Sequence, residues 1–189
     1  ESESRGLGDV YKRQDIFFPI NTKKVRTIYM AYSGKYKVKN PKKYAGDHTG
    51  VIFRSMWERH CFKWCDDNPK VKSWSSEEIV VPYYYDGDKR YHRYFPDLKI
   101  VMENQTLLVE IKPDKETRPP KGQKRTKKYI NEAFTYVKNM NKWEAAQKYS
   151  VDRGWQFQIW TEKTLQEMKI MPKYIKPLKP LGPVRKKKK

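Results

Sequence analysis

The spacing of hydrophobic residues predicts three helices in the central part of the chain. In the segment 51–69 (VIFRSMWERHCFKWCDDNP), apolar residues recur every three to four positions, which predicts an amphipathic helix that ends before Pro69. A longer helix is predicted over roughly 129–149, and the sequence Asp152-Arg153-Gly154 ends it. A short helix is predicted in TEKTLQEM, with Thr161 near its start.

Alternating apolar and polar residues predict the strands. One strand is predicted over about 78–85, and another in WQFQIWT at 155–161. The segment 93–113 (RYFPDLKIVMENQTLLVEIKP) predicts a hairpin with its turn centred on Glu103-Asn104. The order helix, strands, hairpin, helix, strand, helix predicts an α/β (α+β) fold in which a mixed sheet has helices on its faces.

Charge changes this picture more than composition does. The chain has 189 residues, with 42 Lys and Arg against 22 Asp and Glu, for a net charge of +20. Such an excess predicts a polyanionic partner, most simply nucleic acid, with a membrane surface as the alternative. No apolar run approaches the roughly 20 residues of a spanning helix, so we expect no membrane partner. Cys61 and Cys65 lie four residues apart in a predicted helix, which favours packing on one face over a disulfide.

Three regions are predicted from these patterns. Residues 1–38 form a leader and an extended basic arm, 39–170 form the folded domain, and 171–189 form a basic tail. Residues 173–189 contain eight Lys or Arg and no acid, so we expect no packed structure there.

The predicted hairpin brings three polar side chains together. With the turn at its centre, Asp97 lies opposite Glu110, and directly opposite residues have Cβ atoms roughly 4.5–5.5 Å apart on one face. Lys112 shares that face with Glu110, because strand side chains alternate with a period of two. The opposite face, towards the core, is predicted to hold Leu98, Ile100, Val109 and Ile111.

Two neighbouring carboxylates repel each other unless a positive charge lies between them. Lys112 could supply that charge alone, and a divalent cation such as Mg²⁺ or Mn²⁺ would do so better, since both prefer oxygen ligands. A metal held in this way can bind a phosphate and lower the pKa of a bound water, which is the chemistry of phosphodiester hydrolysis. The alternative is a surface ion-pair cluster that contributes little to stability.

These residues carry a family resemblance. Pro96-Asp97 and Glu110-Ile111-Lys112 resemble the motif of the PD-(D/E)xK nuclease superfamily. The ordered set of RSMWE, RYFPD, VEIKP and FQIWTE, within about 39–168, resembles TnsA-like endonucleases and, more closely, the head-completion nucleases of contractile-tailed bacteriophages. The resemblance implies a restriction-endonuclease-like mixed sheet flanked by helices, with an extended basic N-terminal arm and a C-terminal tail outside it.

The resemblance also implies residue roles. Asp97 is the central metal ligand, Glu110 is a second ligand, and the Ile111 carbonyl completes the set for Mg²⁺ or Mn²⁺. Lys112 positions or activates the attacking water. Glu58, on the preceding helix, completes the acidic catalytic cluster or is an ordinary solvated residue.

Two basic segments are predicted to bind phosphates by releasing counterions. Residues 112–128 contain eight Lys or Arg and two acids, and the tail is the second segment. The candidate DNA-contacting residues are Arg93, Lys115, Arg118, Lys121, Lys124, Arg125, Lys127, Lys128, Arg185, Lys186 and Lys187. The tyrosines at 83–85, 91 and 94 could stack on bases or pack in the core, and the sequence leaves both readings open.

The function that the resemblance implies is a metal-dependent DNA endonuclease of phage head completion. It would act on or bind packaged double-stranded DNA late in head assembly, with portal, neck or other head proteins as partners and oligomers arising through virion symmetry. Its expected location is the virion, at the head or head–neck junction, and the host cytoplasm during assembly. The alternative is a non-catalytic structural component of that junction, and a transposase-type or repair nuclease of cellular origin is a third reading.

Overall fold

The computed structural model describes residues 33–122 and 126–171. The helices are α1 (Met56–Asp67), α2 (Lys127–Val151) and α3 (Glu162–Glu167). The strands are β1 (Gly34–Lys35), β2 (Ile52–Phe53), β3 (Val71–Ser75), β4 (Val81–Tyr85), β5 (Arg90–Tyr94), β6 (Leu98–Met102), β7 (Thr106–Ile111) and β8 (Gln156–Trp160). Short 3₁₀ turns lie at Pro41–Lys43 and Asp114–Glu116. None of the helices described is long and apolar enough to cross a membrane.

A four-stranded mixed sheet forms the centre of the domain. Its order is β3-β6-β7-β8, with β3–β6 and β6–β7 antiparallel and β7–β8 parallel. The parallel pair requires a crossover connection, and α2 lies within it. The predicted mixed sheet with helices on its faces is therefore confirmed.

Both faces of this sheet are covered. On one face, α1 packs its buried Trp57, Cys61, Phe62 and Cys65 against a core that includes Trp74, Leu98, Ile100, Val109, Ile111 and Trp160. On the other face lies a smaller core of Val81, Tyr83, Tyr94, Leu108 and Ala146, contributed by the β4–β5 hairpin, β7 and α2. Because side chains alternate along β7, adjacent residues enter different cores. Both cysteines are buried and free, as the helix spacing predicted.

The β6–β7 hairpin has the predicted register. Leu98 pairs with Val109 and Ile100 with Leu107, so opposite positions have the sum expected for a turn at Glu103-Asn104. The four predicted core-facing residues all lie in the larger core. This register makes Asp97 and Glu110 the next opposite positions along the hairpin.

The helix predicted over 51–69 was too long at its N-terminus. Ile52 and Phe53 form β2 and pair with β1, and the helix begins only after Ser55, whose hydroxyl accepts a hydrogen bond from the Glu58 N–H. The apolar residues before Ser55 belong to a strand, and the spacing of apolar residues alone cannot distinguish a short buried strand from a first turn of helix. An N-cap serine fixes the start because it satisfies an otherwise unpaired helix N–H.

The strand predicted over 78–85 is shorter than expected. It begins at Val81, and Glu77, four residues earlier, adopts a left-handed φ of 55°. The spacing pattern also missed β3, which pairs with β6 at the sheet edge. The long helix and the last strand are confirmed, and Gly154, at a φ of 68°, lies between them in the turn that ends α2.

The described part of the predicted N-terminal arm packs on the domain. Val38 lies in the larger core, and the buried Asp66 carboxylate accepts hydrogen bonds from the Tyr36 hydroxyl at 2.8 Å and the Lys39 N–H at 3.0 Å. Trp74 Nε1 donates to the same carboxylate at 3.3 Å. The division into 1–38, 39–170 and 171–189 stays a prediction, because residues 1–32 and 172–189 lie outside the described residues.

Candidate active site

Three polar residues predicted to converge lie at one end of the β6–β7 hairpin. Asp97 immediately precedes β6, Glu110 is the penultimate residue of β7, and Lys112 follows β7 by one position. The Lys112 N–H donates to the Trp160 carbonyl at 3.1 Å, so the β7–β8 ladder continues through this residue. The backbone that carries Glu110 and Lys112 is thus held by the β7–β8 ladder.

The carboxylates are fixed by short hydrogen bonds. Asp97 Oδ2 accepts from the Ile111 N–H at 2.6 Å, which anchors the first acid to the strand of the second. Glu110 Oε1 lies 3.1 Å from Lys112 Nζ, and Glu110 Oε2 accepts from the Tyr94 hydroxyl at 2.6 Å. The glutamate is therefore held between a cation and a neutral donor.

Burial makes this cluster electrostatically costly. Glu110 is only 3% exposed, and Asp97 and Lys112 are half-buried. Burial, and then the neighbouring charge of Glu110, raises the pKa of Asp97 well above its usual range, although Lys112 opposes the shift. Burial alone would lower the pKa of Lys112, but the charges of Glu110 and Asp97 outweigh it and raise that pKa, so the side chain stays an ammonium.

Glu58 has a defined structural role in addition to its predicted catalytic one. Its Oε2 accepts from the Arg54 N–H at 2.7 Å and its Oε1 from the Ser55 hydroxyl at 2.8 Å, so it caps the first turn of α1. Burial raises the pKa of Glu58, and its charge reaches Asp97, where it adds to the upward shift of that pKa. Arg54 forms an ion pair with Glu77 beside this turn. The catalytic role of Glu58 stays a prediction.

Two residues that the motifs did not assign to the cluster lie beside it. The sequence left open whether Tyr94 stacks on bases or packs in the core. The structure buries it, with its hydroxyl bonded to Glu110. Lys142 of α2 lies with its Nζ 5.4 Å from the Tyr94 ring centroid and 5.9 Å from that of Tyr83. Burial lowers the pKa of Lys142, and the charge of Glu110 opposes that shift. The sequence did contain a signal for Lys142, because this residue lies three positions after the buried Asn139 and four before the buried Ala146, on the face of α2 that packs on the domain.

The predicted DNA-contacting residues are scattered around the site. Three of them have acidic neighbours: Lys115 with Glu116 at 3.8 Å, Arg118 with Asp114 at 3.1 Å, and Lys128 with Glu132 at 4.0 Å. Arg93, Lys121 and Lys127 are exposed. Their roles stay predictions, and Lys124, Arg125, Arg185, Lys186 and Lys187 lie outside the described residues.

Comparison with known families identifies the fold. The family model described as TnsA-like endonuclease N terminal matches residues 68–162, a range that includes Asp97, Glu110 and Lys112. The chain belongs to the TnsA-like endonuclease family.

The matching range covers the central sheet of this TnsA-like chain from β3 to β8 and ends at the first residue of α3. A curated relative, the head completion nuclease of Enterobacteria phage T4, is 41% identical over 145 residues, covering 74% of this chain and 97% of the relative. Comparison with solved structures gave no match. The resemblance inferred from the motifs is confirmed: the chain is a relative of a phage head completion nuclease and has a nuclease-family fold.

TnsA-like membership raises the question of whether these residues suit a divalent metal. Among the residues that the structure describes, no three His, Cys, Asp or Glu side chains meet in a way that could hold a metal ion by themselves. Two carboxylates, Asp97 and Glu110, are electrostatic neighbours, and the charge of Glu110 is the second cause, after burial, of the raised pKa of Asp97. Together with the predicted Ile111 carbonyl they would give an all-oxygen donor set, the chemistry that Mg²⁺ and Mn²⁺ prefer, with water filling the other positions. The residues therefore fit a hard cation.

Proposed function

We propose that this chain is a metal-dependent DNA endonuclease that acts in phage head completion. The observation that carries the proposal is the cluster at the end of the β6–β7 hairpin, where Lys112 Nζ lies 3.1 Å from Glu110 and Asp97 is bound to the same strand. Two carboxylates can hold a divalent cation that polarises a phosphate and acidifies a bound water, and an ammonium beside them can offset developing negative charge. The TnsA-like family and the phage T4 relative point to the same reaction and setting.

In this proposal each residue has one task. Asp97, Glu110 and the Ile111 carbonyl would hold Mg²⁺ or Mn²⁺, which when bound would polarise a phosphate oxygen and acidify a water. The Lys112 ammonium orients that water and offsets negative charge that develops on the phosphate. Tyr94 is a positioning residue, since its hydroxyl fixes one oxygen of Glu110.

Lys142 supplies a second positive charge next to the carboxylates. Its Nζ lies over the ring of Tyr94, so a phosphate bound above the cluster would meet cations from both β7 and α2. We propose that Lys142 contacts the DNA backbone beside the scissile phosphate. Arg93 and the exposed lysines of 115–128 would extend this contact along double-stranded DNA, with an affinity that falls steeply with salt.

The name of the phage T4 relative supports a role in the head. We propose that the chain acts on packaged DNA, that its protein partners are head proteins such as the portal or neck, and that it resides in the virion after assembly in the host cytoplasm. Glu58 would complete the acidic cluster in addition to capping α1.

A plasmid-cleavage assay with Mg²⁺ or Mn²⁺ tests the proposal. Asp97→Asn and Lys112→Met should each reduce the cleavage rate by on the order of 10²–10³-fold, the usual loss when one electrostatic contributor is removed. Glu103→Gln, in the exposed turn of the same hairpin, is the matched control and should cleave as wild type. Equal cleavage by wild type and Asp97→Asn would exclude the proposed site.

A non-catalytic role in the particle is the second candidate. It is favoured by one observation, that both Glu110 oxygens already have partners within the protein and the side chain is buried. Complementation of a phage that lacks the protein separates the two. If Asp97→Asn restores infectious particles as well as wild type does, the structural role is supported. If a well-folded Asp97→Asn protein does not restore them, catalysis is supported.

A further inference from the structure

The β4–β5 hairpin divides its tyrosines between two faces. Tyr83 and Tyr94 are buried and pack towards Leu108 in the smaller core. Tyr84 and Tyr91 point the other way, with 41% and 78% of their surface exposed. Only the second pair is available to a ligand.

The outward positions of this hairpin form a surface that we call the outer aromatic face. It consists of the cross-strand pairs Tyr84–Tyr91 and Pro82–Arg93. The two tyrosine ring centroids are 5.3 Å apart at an angle of 66°. These four positions offer aromatic rings and one cation, and none of them is acidic.

The outer aromatic face lies a few residues before the candidate active site along the chain. The guanidinium of Arg93 lies 5.1 Å from the centroid of the Phe95 ring, which is 38% exposed, and only Pro96 separates Phe95 from Asp97. The six residue-to-residue steps from Tyr91 to Asp97 span at most about 22 Å. At about 3.4 Å per stacked nucleotide, a strand of about six nucleotides would reach from one to the other.

The chemistry of this face selects its ligand. The net charge of +20 favours a polyanion, and aromatic rings stack on any base because every base has a π-face. Bases in a duplex already stack on their neighbours, and exposing one costs unpairing energy. Single-stranded DNA meets these rings without that cost.

We propose that the outer aromatic face binds single-stranded DNA, with unpaired bases stacked on Tyr91 and Tyr84 and the backbone contacted by Arg93. The preferred substrate is then a single-stranded or frayed DNA end that continues into the site at Asp97. This inference rests on the proposed endonuclease function and specifies its substrate.

Binding is measured without cleavage, by fluorescence anisotropy of a short labelled oligothymidine in EDTA at fixed salt. Tyr91→Ala should weaken binding about tenfold, within the range that one base–aromatic stack contributes. Tyr91→Phe keeps the ring and should restore the affinity. Binding of a blunt duplex should be the same for all three proteins.

A second readout avoids dependence on one variant. An oligonucleotide containing 2-aminopurine should lose fluorescence on binding wild-type protein, since stacking on a ring quenches it, and Tyr84→Ala should reduce that quenching. Absence of quenching, or Tyr91→Ala that binds oligothymidine as tightly as wild type, overturns the proposal. The proposal is also overturned if Tyr91→Ala changes the oligomeric state seen in sedimentation but not the affinity for DNA, because the face would then be a protein interface.

Failure of this inference is distinguishable from failure of the endonuclease proposal. Tenfold weaker binding by Tyr91→Ala in a protein that cleaves no DNA supports the stacking face and counts only against catalysis. Asp97-dependent cleavage together with unchanged binding by Tyr91→Ala overturns the stacking face and leaves catalysis intact.

Discussion

The hydrogen bond between Tyr94 and Glu110 joins the β4–β5 hairpin to β7, and its removal should weaken both the fold and the candidate site. Tyr94→Phe deletes only the hydroxyl that donates to Glu110 Oε2 at 2.6 Å. Burial, and then the charge of Glu110, raises the pKa of Tyr94, so the phenol remains a donor at all ordinary pH values. Lys112 remains as the second partner of the carboxylate.

The expected loss follows from burial and charge. A hydrogen bond to a charged group contributes roughly 1.5–3 kcal/mol. Both side chains are 3% exposed, so solvent screens the bond little, and we expect a loss of roughly 2 kcal/mol on deletion. For a domain of this size, each kcal/mol shifts Tm by about 3–5 °C, which predicts a fall of about 6–10 °C.

Thermal and urea unfolding in EDTA measure this loss without interference from metals. Tyr91→Phe is the matched control, because it removes the same atom from the exposed face of the same strand, and its effect should stay within about 0.5 kcal/mol. A double-mutant cycle with Glu110→Gln isolates the pair. A coupling energy below about 0.5 kcal/mol would show that the bond does not stabilise the fold as argued.

The same variant tests the positioning role of Tyr94. Loss of a group that orients a metal ligand typically reduces metal affinity about 10–100-fold. Mn²⁺ titration followed by calorimetry should therefore show weaker binding to Tyr94→Phe, with unchanged binding to Tyr91→Phe. Equal Mn²⁺ affinity for wild type and Tyr94→Phe would contradict the positioning role of Tyr94.

Four further variants separate structural from catalytic roles. In thermal unfolding, Asp97→Asn should stabilise the metal-free protein increasingly as pH rises above the unfolded carboxyl pKa of 3.8. A raised carboxyl pKa contributes stability that is full below the unfolded value and is lost as pH rises through the folded pKa, and asparagine escapes that loss. A difference in stability that does not change with pH would refute this prediction. Glu58→Ala should cost about 1 kcal/mol through loss of the α1 cap, whereas Glu58→Gln should keep most of that stability and still lose cleavage if Glu58 is catalytic. Asp66→Ala should cost about 2–4 kcal/mol because it leaves three donors without an acceptor, while Asp67→Ala, at the exposed neighbouring position, should change unfolding by less than about 1 kcal/mol. Lys142→Met should reduce the slope of log affinity for DNA against log salt by about one, and an unchanged slope would mean that this lysine contacts no phosphate.

What the sequence determined by itself is the geometry that depends on near neighbours. The β6–β7 register followed from the turn position and the two-residue alternation, because opposite residues in an antiparallel hairpin have a constant sum of positions. That rule placed Asp97 opposite Glu110, and the motif then linked both to Lys112. The long helix and the capped start of α3 at Thr161 were likewise local signals.

What only the tertiary structure decided is which residues from distant segments meet. Tyr94 and Tyr91 lie three positions apart in one strand, so they face opposite sides, but alternation alone cannot tell which side another element will cover. The cover comes from α2, which also brings Lys142 to the ring of Tyr94. Pairing with the arm likewise decided that Ile52 and Phe53 form β2 instead of a first turn of helix. Local pattern fixes the face on which a side chain lies, whereas packing between elements far apart in the chain fixes what that face contacts.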